Sequence, residues 1–271
     1  MALLEVKNLS KHFGGLTAVG DVTMELHEGE LVGLIGPNGA GKTTLFNLLT
    51  GVYVPSEGTV SLDGTVLNGK SPYKIASLGL SRTFQNIRLF KDMTVLENVL
   101  IGLANQSKSH TLASLLRLPA YYKSEAELKE KALELLAIFN LEKEADTLAK
   151  NLPYGQQRRL EIVRALATRP KILFLDEPAA GMNPQETAEL TALIRQIKND
   201  FGVTIILIEH DMSLVMEVTE RIYVLEYGRL IAARQKINFV VTKNSLGQKN
   251  GHLKIGIITR KEICMIKAIF F

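Results

Sequence analysis

The segment from Gly36 to Thr44 has residue types and spacing that suit the binding of a phosphate chain. Gly36 and Gly41 bracket four residues ahead of Lys42 and Thr43, which is the pattern of a phosphate-binding loop. Glycines let the backbone curl so that successive N–H groups point at one anion. The pattern predicts a nucleoside triphosphate ligand, although a glycine-rich turn with an incidental lysine would share it. The residues predicted to bind it here are Gly36, Pro37, Asn38, Gly39, Ala40, Gly41, Lys42, Thr43 and Thr44.

A second set of chemically capable side chains follows an apolar run. Ile172 to Leu175 are apolar, and Asp176 and Glu177 come directly after them. One carboxylate could hold Mg²⁺, directly or through water, while the other could orient or deprotonate an attacking water. Alone, the pair could equally be an Asp-Glu turn after a buried strand. Beside a phosphate-binding loop it predicts phosphoryl transfer, with Asp176 at the metal and Glu177 as the base.

The elements that must position these residues follow from hydrophobic runs and helix signals. Leu31 to Ile35 is predicted to be a buried strand, and Thr44 to Thr50 a helix that stops at Gly51. Lys171 to Leu175 and Val203 to Ile208 are further predicted strands, with helices between them. Alternating strands and helices favour a parallel sheet covered on both faces, whose ligands lie beyond the carboxyl ends of the strands.

Between the phosphate-binding loop and the acidic pair, the sequence contains a stretch with helical patterns. Thr94 to Leu103 is predicted to be a helix, and Ser107 to Lys123 is polar and irregular. Ser124 to Phe139 has a strong amphipathic period, and Ser124 with Glu127 forms a capping-box pattern that predicts where this helix begins. The stretch therefore predicts a helical insertion within an α/β core.

These patterns divide the chain into parts. Residues 1–231 form the predicted catalytic domain, with a nucleotide-binding core of residues 1–86 and 151–231. Residues 87–150 form the predicted helical subdomain, and residues 232–271 an atypical basic tail. A membrane-surface or anionic partner, a disordered end and a change of reading frame remain alternative explanations of the tail.

The charge and cysteine content restrict the classes of function and the compartment that the chain could have. Of the formal charge of +4, the tail holds eight of 32 basic and one of 28 acidic residues, which leaves 24 basic and 27 acidic residues elsewhere. A net negative body is poor evidence for nucleic-acid binding, so no nucleic-acid partner is expected. No apolar stretch of eighteen or more residues and no secretory signal is found. Cys264 is the one cysteine, which favours a reducing cytoplasm.

Because the phosphate-binding loop precedes the acidic pair in this order, the chain resembles the ATP-binding-cassette ATPases over about Leu3 to Ile231. The resemblance implies an α/β fold: a P-loop NTPase core with a mostly parallel sheet, an N-terminal antiparallel β portion and an inserted helical subdomain. It also implies that the chain binds ATP with Mg²⁺ and hydrolyses it to drive transport across a membrane.

Further residues match motifs of this family. Phe13, before Gly14, resembles the aromatic residue that stacks on adenine, although it could be a core aromatic. Gln85 matches the glutamine loop, which senses the γ-phosphate and Mg²⁺ and contacts the transmembrane partner, and His210 matches the switch histidine. Ala180 to Pro184 matches the loop that crosses the dimer interface. The resemblance implies catalytic roles for Lys42, Gln85, Glu177 and His210, and metal binding by Thr43, Gln85 and Asp176.

The signature loop departs from the common pattern of the family. Most members have Leu-Ser-Gly-Gly-Gln, but here Pro153 replaces the serine and Tyr154 the first glycine, which removes a hydroxyl and an N–H group. The amides of Gly155 and Gln156 could still bind the γ-phosphate of ATP held by the opposite subunit. The signature residues predicted to reach that ATP are Tyr154, Gly155, Gln156 and Gln157.

This signature, the run from Ala179 to Glu186 and the long segment at Ser107 to Lys123 resemble one subgroup, the ATPase subunits of branched-chain amino-acid importers. The resemblance implies uptake of leucine, isoleucine and valine. It implies a paralogous second ATPase subunit in a heterodimer, two transmembrane permeases and an extracytoplasmic substrate-binding protein. The implied location is peripheral, on the cytoplasmic face of the inner membrane.

Three other functions are alternatives within the family. An ATPase of lipid or lipopolysaccharide export shares the size and architecture, but the serine-less signature weighs against it. ATPases of this family that act on nucleic acid usually contain two cassettes or a long coiled coil, and this chain has neither. A non-catalytic regulatory cassette is disfavoured because Lys42, Asp176, Glu177 and His210 are all present.

Overall fold

The computed structural model describes residues 2–104 and 119–235. The strands are β1 (Leu4–Phe13), β2 (Leu16–Leu26), β3 (Leu31–Ile35), β4 (Glu57–Leu62), β5 (Thr65–Val66), β6 (Leu80–Arg82), β7 (Ile172–Asp176), β8 (Thr204–Ile208), β9 (Arg221–Glu226) and β10 (Arg229–Gln235). The α-helices are α1 (Lys42–Leu49), α2 (Pro72–Ser77), α3 (Val95–Leu103), α4 (Pro119–Ile138), α5 (Tyr154–Ala167), α6 (Pro184–Phe201) and α7 (Met212–Val218). Short 3₁₀ helices cover Glu142–Glu144 and Ala149–Asn151.

A six-stranded sheet in the order β10-β9-β3-β8-β7-β6 forms the centre of the fold. Its neighbouring strands run parallel except for the β9–β10 hairpin. Successive side chains of a strand point to opposite faces. Leu173 and Leu175 accordingly pack under α5 and α6, while Ile172 and Phe174 pack on the side of α1. The sheet is therefore covered on both faces, which confirms the predicted α/β class.

A second, antiparallel sheet in the order β2-β1-β4-β5 lies at the N-terminal side of the fold. Leu4 pairs with Leu26 of β2 and with Leu62 of β4, and all three side chains are buried. They share one core with Leu45 and Phe46 of α1. This sheet is the expected N-terminal antiparallel portion, and it packs the first helix against the central sheet.

The helices α3, α4 and α5 pack together beside the central sheet. Thr94 caps α3 in a capping box: its hydroxyl accepts from the Glu97 N–H at 3.1 Å, and the Glu97 carboxylate accepts from the Thr94 N–H at 2.7 Å. The apolar face predicted for α4 buries Ala132 and Leu136 against α3 and α5, and Phe139, directly after the helix, is buried with them. The helical insertion is thus a packed layer joined to the core through α5.

The start predicted for α4 is wrong. The helix begins at Pro119, so Ser124 lies within it and is not its N-cap. Proline suits the first turn of a helix, and no glycine or proline follows it before Ser124 to end the helical backbone. The predicted irregular segment loses its last residues to this helix, and its residues 107–118 lie outside the described part of the chain.

The strand β10 continues past Ile231, where we placed the end of the catalytic domain. Ala232 pairs with Val224 and Ala233 with Tyr223 in the β9–β10 hairpin. The division into domains stays a prediction, and residues 236–271, including Cys264, lie outside the described residues. Among the described helices, none is both long and apolar enough to cross a membrane.

Candidate functional site

Strand order brings three loops to one edge of the central sheet. β8 lies between β3 and β7, and Ile208 at its end pairs with Leu34 on one side and with Asp176 on the other. The loop after β3, the acidic pair at the end of β7 and the residues after β8 therefore meet at the carboxyl ends of parallel strands. That edge is where ligands bind in open parallel sheets.

The phosphate-binding loop has a shape that its glycines permit. A Cβ atom on Gly36 would lie 2.1 Å from the Leu225 carbonyl oxygen, which is closer than atoms can approach. Gly41 has a φ of 98°, and a Cβ atom there would lie 2.5 Å from the Ala18 oxygen. Gly41 is also the N-cap of α1, which has no side-chain cap. The first N–H groups of α1 thus face the loop, where they could bind an anion.

Lys42 places a positive charge inside this loop. Its Nζ atom donates to the Gly36 oxygen at 2.7 Å and to the Pro37 oxygen at 3.0 Å. Burial lowers the pKa of Lys42, while the charges of Glu177 and Asp176 act in the opposite direction. The ammonium group therefore lies where it could contact phosphate oxygens, within the field of the acidic pair.

Two nitrogen atoms converge on the Glu177 carboxylate. Gln85 Nε2 donates to Oε2 at 2.8 Å, and His210 Nε2 lies 2.9 Å from Oε1. Glu177 has a φ of 47°, a left-handed conformation that is uncommon for residues other than glycine. Its N–H group bonds to the Ile208 oxygen at 2.9 Å, which ties this turn to β8. A carboxylate held in this way could orient and deprotonate a water molecule.

Asp176 forms a buried ion pair that the sequence patterns did not reveal. Arg82 Nη2 lies 2.7 Å from Asp176 Oδ2, and both side chains are almost fully buried. Nη1 of the same guanidinium donates to the Asn47 side-chain oxygen at 2.7 Å, which connects Asp176 to α1. The available signal was an arginine at the end of the short strand β6, which does not identify a partner.

The oxygen donors at this edge suit Mg²⁺. A hydroxyl, a carboxylate and an amide oxygen are available from Thr43, Asp176 and Gln85, and hard cations prefer oxygen ligands. Thr43 is exposed in the first turn of α1. In the described part of the chain, no group of three or more His, Cys, Asp or Glu side chains could hold a metal by itself. A Mg²⁺ ion here would therefore take its remaining oxygen ligands from water and phosphate.

Glu209 is a second buried acid that sequence reasoning missed. Its carboxylate accepts from the Ala179 N–H at 2.7 Å and from the His210 N–H at 3.1 Å. Burial raises the pKa of Glu209, although these backbone N–H groups oppose the shift. The side chain therefore joins the end of β8 to the loop that follows Glu177. A single acid beside a histidine has no spacing that would have indicated this.

The predicted adenine-stacking residue and the predicted signature residues form other contacts. The Phe13 ring is 43% exposed and packs edge-to-face on Tyr53 with ring centroids 5.3 Å apart, so it is not a core aromatic. The Tyr154 hydroxyl donates to the Ala180 oxygen at 3.0 Å, and Gln157 Nε2 donates to the Leu152 oxygen at 2.8 Å. Within the described ranges, no hydrogen bond joins the signature residues to the phosphate-binding loop.

Comparison with known proteins agrees with this geometry. A family model described as ABC transporter matches residues 19–180. The chain is 50% identical over 230 residues to the high-affinity branched-chain amino acid transport ATP-binding protein LivG of Salmonella typhimurium, covering 85% of this chain and 90% of that protein. BraF of Pseudomonas aeruginosa, which has the same description, matches with the same identity and coverage.

Solved structures show the same likeness. A nucleotide-free ATP-binding cassette from an ABC transporter superposes with a TM-score of 0.74 at 36% identity, covering 87% of this chain and 92% of that one. An ATP-binding cassette in its ADP conformation superposes with a TM-score of 0.75 at 35% identity and the same coverage. The chain belongs to the ABC transporter family, as one of its ATP-binding cassette ATPases.

Proposed function

We propose that this chain is the ATP-hydrolysing subunit of an importer that takes up leucine, isoleucine and valine. The convergence of Gln85 and His210 on Glu177, beside the lysine-bearing loop, carries the catalytic part of the proposal. The relatives that are 50% identical to this chain are named for branched-chain amino acid transport, which supports the substrate class. Transport specificity itself would reside in partner subunits.

The site would bind ATP through the phosphate-binding loop and its lysine. Lys42 and the first amides of α1 would hold the outer phosphates, and Phe13 would stack on the adenine. Thr43, Gln85 and Asp176 would hold Mg²⁺, which when bound neutralises charge on the phosphates. Glu177 would orient the attacking water and take its proton, while His210 would contact the γ-phosphate and keep the Glu177 carboxylate in place.

A second cassette would complete the site. Tyr154 at the start of α5 is 46% exposed, and its hydroxyl bonds to Ala180 rather than to the phosphate-binding loop. In a head-to-tail pair, the amides of Gly155 and Gln156 would reach the ATP bound by the other subunit, with Tyr154 and Gln157 beside them. The relatives are named as ATP-binding proteins of branched-chain amino acid transport, and we infer that the second cassette here is a paralogue.

A groove beside the glutamine loop would receive the permease. It has a volume of about 740 Å³ and lies between α2, the glutamine loop and the helical layer. Val52, Phe90 and Ile101 expose apolar surface along it, and Arg88 and Arg164 add positive charge. Exposed apolar patches rimmed by polar groups are typical of protein interfaces. Such docking would place the chain peripherally on the cytoplasmic face of the inner membrane.

The test is to isolate the native complex and identify its chains. We expect two permeases and a paralogous ATPase, with ATP hydrolysis that rises when leucine and the substrate-binding protein are added to the reconstituted complex. Lys42→Ala in the same complex serves as the inactive control. Companion chains of a lipid exporter, or hydrolysis unaffected by leucine, isoleucine and valine, would contradict the substrate assignment while leaving the ATPase assignment intact.

A further inference from the structure

A buried ion pair on α5 lies directly against the glutamine loop. Arg158 and Glu161 are one turn apart on the helix, with Arg158 Nη1 2.8 Å from Glu161 Oε2. Their side chains are 0% and 2% exposed, so both charges are removed from water. Burying two charges is costly unless hydrogen bonds satisfy them. The partners of this pair therefore indicate what its burial achieves.

Those partners are backbone groups of the glutamine loop. Arg158 Nη1 donates to the Phe84 oxygen at 2.6 Å, and Nη2 donates to the Gln85 oxygen at 2.7 Å. Glu161 Oε1 accepts from the Arg88 N–H at 3.1 Å and from the Phe84 N–H at 3.4 Å. The pair thus forms hydrogen bonds with the main chain on both sides of Gln85, in a segment that is neither strand nor helix.

The same helix carries the signature residues one turn earlier. Tyr154 and Gly155 begin α5, and Arg158 follows them on a continuous helix. A helix moves as a unit because its backbone hydrogen bonds fix one turn to the next. A displacement of the glutamine loop, which borders the groove, would therefore carry the start of α5 with it through the buried pair.

We propose that Arg158 and Glu161 are positioning residues that couple the glutamine loop to the signature end of α5. The pair sets where Gln85 stands against Glu177 and makes the loop and the helix respond together. This inference rests on the proposed function, since the coupling matters for an ATP site shared by two subunits. The pair acts through the backbone of the glutamine loop.

The chain offers a matched control one residue along the same helix. Arg159 forms an ion pair with Glu189 of α6, but neither residue bonds to the glutamine loop in the described structure, and the Glu189 side chain is 47% exposed. The test variant is the double substitution Arg158→Met with Glu161→Leu. Replacing both charges by apolar side chains of similar volume keeps a buried site packed, whereas a single substitution would leave an unpaired charge.

Two readouts separate coupling from simple stabilisation. We expect the double variant to remain folded, with a lower thermal midpoint because backbone groups of the loop lose their partners. Its ATP Kd should stay within about twofold of the wild type while kcat falls by at least about tenfold, because small misplacements of a site cost rate. Arg159→Met with Glu189→Leu should keep kcat within about twofold. An unchanged kcat in a folded test variant would overturn the proposal.

Hydrogen exchange tests the link without hydrolysis. In the nucleotide-free protein, the peptide spanning residues 84–88 should exchange faster in the double variant than in the wild type or the control. Unchanged exchange there would also overturn the proposal. A wild type that neither binds nor hydrolyses ATP would instead contradict the proposed function, and the exchange measurement would still decide whether the pair holds the loop.

Discussion

His210 Nε2 lies 2.9 Å from Glu177 Oε1, although 33 residues separate them along the chain. The contact arises because β7 and β8 are adjacent and parallel, with Asp176 opposite Ile208. Gln85 approaches the other oxygen of the same carboxylate. One carboxylate held from two sides is well suited to orient a water molecule, because both its position and its direction are restricted.

Replacing Glu177 by glutamine should separate binding from hydrolysis. The amide keeps the size of the side chain but cannot accept a proton, so kcat should fall by about 10²- to 10⁴-fold. ATP affinity should stay near that of the wild type because the phosphate-binding loop is unchanged. Steady-state hydrolysis and equilibrium ATP binding measure the two effects. Wild-type turnover in Glu177→Gln would end the role of this residue as base.

Replacing Lys42 by alanine should act on binding itself. The variant loses a charged donor that lies within the loop, so the ATP Kd should rise by about 10- to 100-fold, the range for hydrogen bonds to charged groups. Lys150→Ala is the control, because Lys150 pairs with Asp92 at the surface. Calorimetric titration of ATP into both variants measures the difference. Equal affinities in Lys42→Ala and the wild type would rule out this contact with the phosphates.

Removing Arg82 should leave the Asp176 charge buried without a partner. We expect Arg82→Met to lower the free energy of unfolding by about 3–5 kcal/mol, the usual effect of breaking a buried pair. Lys171→Met, which breaks the surface pair with Asp63, should change stability little. Urea unfolding gives both values.

Magnesium and ATP provide a second check on the Arg82 variant. If Asp176 also faces a metal, Mg²⁺ with ATP should restore more stability to Arg82→Met than to the wild type, because the bound cation would compensate the same carboxylate. Equal stabilisation of both proteins would argue against metal binding by Asp176.

The buried Glu209 makes stability depend on pH. Burial raises the pKa of Glu209 above the ordinary value of 4.5 that applies in the unfolded chain. Between these two pKa values the folded chain binds more protons, so its stability decreases as the pH rises. Glu209→Gln lacks this proton equilibrium. The wild type should therefore gain stability relative to the variant as the pH falls from neutrality toward 4.5.

Urea unfolding at several pH values measures this prediction. The informative quantity is the difference in the free energy of unfolding between the wild type and Glu209→Gln at each pH. A difference that stays constant from neutrality to pH 4.5 would show that Glu209 titrates as it does in the unfolded chain. Acids distant from Glu209 titrate alike in both proteins, so their contributions cancel in the comparison.

Local patterns sufficed for the buried strands at the centre of the parallel sheet. Leu31–Ile35 has the bounds that the sequence predicts, because apolar runs and end signals are properties of neighbouring residues. The same reasoning misplaced the start of α4, where a capping-box pattern at Ser124 lies inside a longer helix. A cap signal shows where a helix could begin, and neighbouring residues that also favour helix can extend it further.

The sequence by itself determined the phosphate-binding loop, the acidic pair at the end of β7 and the alternating α/β order, since each is encoded in adjacent residues. Only the tertiary structure decided that Arg82 pairs with Asp176 and that Arg158 and Glu161 hold the loop around Gln85. These partners lie more than 70 residues apart in sequence. Strand order and helix packing bring them together, and no local spacing records which buried charges will meet.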